Sequence, residues 1–105
     1  MSQTMKHFPQ MAYSVMRGDE YVSLDEVAYP GLCILHAPLD WFFCGGVDAK
    51  EYFSRVYDSP TWGQVLLEAI KAQQSTLDFH HSFLEDVRKT DANGEIAILR
   101  FVIGS

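Results

Sequence analysis

Apolar residues fall along this chain in short runs separated by turn-forming residues. The first run is Met11-Ala12-Tyr13-Ser14-Val15-Met16, and Arg17-Gly18-Asp19-Glu20 divides it from Tyr21-Val22-Ser23-Leu24. Two short apolar runs about a Gly-containing turn predict a hairpin. Tyr29-Pro30-Gly31 marks the next turn. After it, Leu32-Cys33-Ile34-Leu35-His36-Ala37, closed by Pro38, has the length and apolarity of a buried strand. Leu39 to Cys44 is short and aromatic, an edge strand or a bend, and ends at Gly45-Gly46.

Helical spacing starts at Asp48, a cap residue with Glu51 three places on. Tyr52, Phe53, Val56 and Tyr57 recur at helical steps, and Ser59-Pro60 closes the segment, since proline disfavours helical conformation in the residue before it. This predicts a first helix. A second follows from Thr61 and Gln64, another capping box, with Trp62, Val65, Leu66, Ala69 and Ile70 on one stripe and Glu68, Lys71 and Gln74 turned to water.

Residues 77–89 fit both a helical and an alternating period. The strand reading is preferred because Asp91-Ala92-Asn93-Gly94 forms a turn signal and the β-branched, aromatic run from Glu95 to Ile103 needs a partner. Folding back about that turn sets Glu85 opposite Arg100, Val87 opposite Ile98 and Phe83 opposite Val102, pairing charge with charge and apolar with apolar. The predicted architecture is α+β: an antiparallel sheet with two central helices packed on one face and a C-terminal β-hairpin. Residues 1–10 lack periodicity and read as a flexible N-terminal segment, with 11–105 as a single α+β domain.

Composition changes this picture in one respect. The formal charge is −6, and the segment from Gly18 to Ala49 holds Asp19, Glu20, Asp25, Glu26, Asp40 and Asp48 without a Lys or Arg. Scattered cations make a poor nucleic-acid footprint, so no nucleic-acid partner is expected. No apolar run approaches the roughly 18 residues of a membrane span, and the polar start lacks the apolar core of a signal peptide. With only Cys33 and Cys44, both expected as free thiols, a cytoplasmic location without membrane association is the expectation.

Candidate chemistry is sparse. His80 and His81 point to opposite faces of a strand and cannot share one metal ion. His81, between Phe79 and Phe83, is a candidate pocket residue for a small molecule, together with His36; the alternative is a packed histidine with one hydrogen bond. Asp78, His80 and Ser82 have the residue types of a triad, but strand neighbours lie about 6 to 7 Å apart, too far for a nucleophile and its base. Cys33, His36 and Cys44 form the one candidate zinc set, against which a strand over 32–37 puts Cys33 and His36 on opposite faces. The sequence therefore predicts a non-catalytic interaction or regulatory module, without cofactor. Asp19, Glu20, Asp25, Glu26 and the aromatic Trp41 are its candidate contacts with a protein partner, and self-association is an alternative use of its sheet or aromatic patch.

Overall fold

The computed structural model describes residues 11–38, 50–76 and 82–104. Residues 1–10, Trp41, Cys44, Phe79, His80 and His81 lie outside the described residues, and so do the expectations attached to them. The chain runs β1 (Ala12–Tyr13), β2 (Met16–Arg17), β3 (Glu20–Tyr21), β4 (Leu32–Ala37), β5 (Tyr52–Asp58), α1 (Trp62–Thr76), β6 (Phe83–Asn93) and β7 (Ile96–Gly104). Five strands form one curled half-barrel sheet in the order β1-β6-β7-β4-β5, and one helix packs on it.

The sheet is mixed, where an antiparallel one was predicted. β6–β7 and β4–β5 pair antiparallel, but β4–β7 and β1–β6 are parallel. The reason is the crossover. The chain leaves the sheet after β5, passes through α1, and returns at β6, so β7 comes to lie against β4 in the same direction. The early hairpin is shorter than expected: Met16–Arg17 pairs with Glu20–Tyr21, and the Val22 amide donates to the Val15 carbonyl at 2.9 Å. Ala12 and Tyr13 join β6 instead, with the Ala12 amide donating to the Ser82 carbonyl at 2.7 Å.

The predicted first helix is a strand. β5 pairs with β4 in the register Cys33↔Tyr57, Ile34↔Val56, His36↔Phe53 and Ala37↔Tyr52, with a shift between Ile34 and His36. That bulge inserts an extra residue, so the helix-facing side chains fall at Tyr52, Ser54 and Tyr57 and the opposite ones at Phe53, Val56 and Asp58. Steps of two and three imitate a helical stripe, which is why periodicity alone misreads the segment. The Leu35 amide, which the bulge leaves without a ladder partner, donates to Ser54 Oγ at 2.8 Å.

α1 opens as its sequence predicts. The Thr61 amide donates to Gln64 Oε1 at 2.9 Å and the Gln64 amide to Thr61 Oγ1 at 3.3 Å, the reciprocal bonds of a capping box. Two more amides at this end, those of Trp62 and Gly63, donate to the carbonyls of Glu26 and Leu24. The acidic turn around Asp25 thus lies across the positive end of the helix, where negative charge is favourable.

Between helix and sheet sits the core: Cys33, Leu35 and Ala37 of β4, Ala97, Leu99 and Phe101 of β7, Leu84 of β6, and Trp62, Val65, Ala69 and Ala72 of α1. The C-terminal hairpin forms as predicted, but in another register. Gly94, at φ 65°, and Glu95 make the turn between Asn93 and Ile96, two residues beyond the centre of the predicted one. Positive φ at the first central residue alone is the type II′ arrangement, which suits the twist of paired strands. Two bulges, between Leu84 and Asp86 and between Lys89 and Asp91, then set Val87 opposite Phe101 and Arg88 opposite Arg100. The predicted Glu85 to Arg100 pair is absent, because the later turn sets Arg88 opposite Arg100 and carries Glu85 to the level of Val102 and Ile103, where it falls in the first bulge.

Candidate functional site

Charge patterning along α1 assigns Glu68 to water, and the structure overturns that. Glu68 is only 3% exposed. It lies on the helix face toward β5, where the bulge turns both Tyr52 and Tyr57 inward. The two phenols donate to its carboxylate, Tyr52 to Oε1 and Tyr57 to Oε2 at 2.6 Å, and Lys71 Nζ stands 3.6 Å from Oε2. Burial works against the charged carboxylate, but the bonds from Tyr52 and Tyr57 and the Lys71 charge together outweigh it and hold its pKa below the usual value. Burial first, then the adjacent carboxylate, push both phenols above theirs. Among the described residues no buried side-chain nitrogen or oxygen lacks a hydrogen-bond partner. The cluster clasps the helix to β5.

The opposite face of the sheet carries the other concentration of chemistry. Residues that alternate with the core positions point away from the helix: Leu32, Ile34 and His36 on β4, Phe53, Val56 and Asp58 on β5, Ile98, Arg100 and Val102 on β7. Phe53 is 54% exposed and Val56 43%, and Leu32 is exposed beside them. His36 stacks on Phe53, ring centroids 4.4 Å apart and planes 7° from parallel, and its Nε2 donates to Glu51 Oε2 at 2.5 Å. His36 is thus held by an aromatic ring and a carboxylate, while Arg100 is its register partner on β7. The exposed apolar side chains lie over β4 and β5, whereas β6 mixes Glu85, Asp86 and Asp91 with Arg88 and Lys89. A cavity of about 310 Å³ opens over β6 and β7.

Compared with protein-family models, with curated proteins and with solved structures, the chain matches none. The site is therefore read from its own geometry.

The residues singled out in the sequence are dispersed. Phe83 begins β6, exposed and opposite Gly104, far along the sheet order from His36. Cys33 is fully buried against the helix while His36 stands on the other face of β4, so the two cannot meet at one ion. Burial, and then the Asp58 carboxylate, raise the Cys33 thiol pKa, as fits a packed sulfhydryl. Among the described residues no group of three His, Cys, Asp or Glu side chains could hold a metal. Of the acids, Glu26 is paired with Arg17, whose hydrogen bond lowers its pKa, whereas Asp19, Glu20 and Asp25 are exposed. Glu68 and the apolar face of β5 are the features sequence reasoning missed. Both follow from the one bulge that disguised β5.

Proposed function

We propose that this protein is a non-catalytic interaction module that joins a second copy of itself through the outward face of β4 and β5. The observation that carries the reading is the exposed apolar group Leu32, Phe53 and Val56, contiguous with Ile34. Solvating such a cluster is unfavourable, and large exposed patches of this kind mark interaction surfaces. A second copy suits it for two reasons. The same residues meet about a twofold axis without needing a complementary pattern elsewhere. Among the described residues β5 is also the last strand in the sheet order, and an outer backbone edge there can pair with its own copy. The exposed acids Asp19, Glu20 and Asp25 lie on another part of the chain and remain available to a basic protein partner.

A Phe53→Glu, Val56→Glu double variant tests this. Both positions are solvent-facing, so the chain should stay folded, at a cost of about 1 kcal/mol for the lost Phe53–His36 stack, while losing the dimer in light scattering behind gel filtration. A dimer that survives both charges places the contact elsewhere.

A further inference from the structure

We infer that Asp86 and Asp91 close the outer edge of β6 to a strand of a second copy, leaving β5 as the edge through which copies of the chain pair. β6 is 11 residues long, and β1 covers only its start. Ala12 and Tyr13 pair with Phe83 and Leu84, and the Ser14 amide donates to the Leu84 carbonyl at 2.8 Å. Among the described residues no strand pairs with that side of β6 beyond Leu84. A long strand with such an edge is a template for another chain.

The ladder fixes which amides face outward. Asn93 and Ile96 are the bonded pair that closes the two-residue turn, so Ala92 and Ala97 form a non-bonded pair whose amides point away from the partner strand. The same alternation, counted through the bulge between Lys89 and Asp91, turns the Lys89 and Val87 amides outward as well. Val87 and Ala92 are separated by an odd step that in a regular strand would put one amide on each edge. The bulge supplies the extra residue that brings both to the same side. At each of them the preceding aspartate takes the place that an incoming carbonyl would occupy: Asp86 Oδ1 accepts from the Val87 amide and Asp91 Oδ1 from the Ala92 amide, both at 2.8 Å. A bulge stands directly before each aspartate, so one arrangement occurs twice, and it begins where β1 stops.

Both carboxylates keep their charge while they accept these bonds. Pairing at this edge therefore requires breaking two charge-assisted bonds and setting two anions against the carbonyls of the incoming strand. At the other end of the sheet order, the one acid of β5, Asp58, accepts from the Ser59 hydroxyl instead. A sheet with one open and one closed edge stops at a pair of copies, whereas two open edges propagate into a row. The limit at two copies rests on the self-association proposed above; the closure of β6 does not.

The test is sedimentation velocity of the full chain carrying Asp86→Ala with Asp91→Ala. At equal loading its largest species should reach at least about twice the mass of the largest parent species and grow with concentration. Asp86→Asn with Asp91→Asn loses the same two charges but keeps an acceptor oxygen for each amide, and should retain the parent's mass distribution. An alanine variant no larger than the parent overturns the assignment, and so does equal growth in the two double variants, because charge rather than the bond would then close the edge. Adding Phe53→Glu with Val56→Glu to the alanine background removes the contact over β5 and should leave association through β6; loss of all association there would mean that the growth ran through β5. Amide exchange in the unaltered chain is independent of how the variants fold. Corrected for intrinsic rates, the Val87 and Ala92 amides should exchange about threefold or more slowly than that of Lys89, which follows Arg88 rather than an aspartate. Equal rates at the three amides overturn the assignment.

Discussion

Replacing Phe101 with alanine is expected to remove about 4 kcal/mol of stability, read as a shift in the urea midpoint at unchanged slope. Among the described residues Phe101 is the largest fully buried side chain, and it lies on β7, which bonds to both β6 and β4. Its ring faces Val87 across the ladder and the helix across the core. Truncation removes the transfer free energy of the ring and leaves a void that strands bonded on both sides cannot collapse to fill. Against a total near 5 to 15 kcal/mol for a domain of this kind, the loss is large. A cost under about 1 kcal/mol would mean that β7 is not central to the core.

The second large effect concerns the clasp on Glu68. Glu68→Ala leaves the Tyr52 and Tyr57 hydroxyls without their acceptor in a buried site, and a cost of about 3 kcal/mol is expected. Glu68→Gln, which retains one acceptor oxygen, should cost less. The two variants also separate the clasp from simple volume loss through pH. Because the folded Glu68 pKa lies below its unfolded value, its contribution is complete above about pH 4.3 and is lost as pH falls through the folded value. The stability difference between the parent chain and Glu68→Gln should therefore narrow as the solution is acidified below that point. On the alkaline side the signs reverse. The raised Tyr52 and Tyr57 pKa values mean that their contribution is complete below about pH 10 and declines above it, toward their folded values. Paired denaturation curves at acid, neutral and alkaline pH check both limbs. A difference that stays constant across them would remove the ionised carboxylate from the explanation.

What the sequence made legible depended on whether local pattern and tertiary position agreed. β4 was legible to the residue, because Gly31 and Pro38 punctuate an apolar run that needs no partner to be recognised. The start of α1 was equally plain, since a capping box is a local bond set and forms where its residues stand. β5 was not, because its extra residue is defined only against β4, and one inserted residue converts a strand period into steps of two and three. The β6–β7 register failed because the turn lies at Gly94-Glu95, two residues beyond the predicted centre; that displacement alone moves the partner of Arg100 from Glu85 to Lys89, and the bulge between Lys89 and Asp91 moves it on to Arg88. Glu68 was assigned to water by its charge, when its environment depends on two tyrosines that the misread strand delivers. Of the candidate site, His36 was found as a residue but not its setting between Phe53 and Glu51, and the outward apolar face required knowing which side the helix covers.

The account turns on copies meeting through the face that β4 and β5 turn away from the helix. Sedimentation equilibrium of the unaltered chain, from micromolar to near-millimolar loading, addresses it most directly. The predicted result is a concentration-dependent approach to twice the 11.9 kDa chain mass. A fitted mass that stays at one chain over the whole range would contradict it.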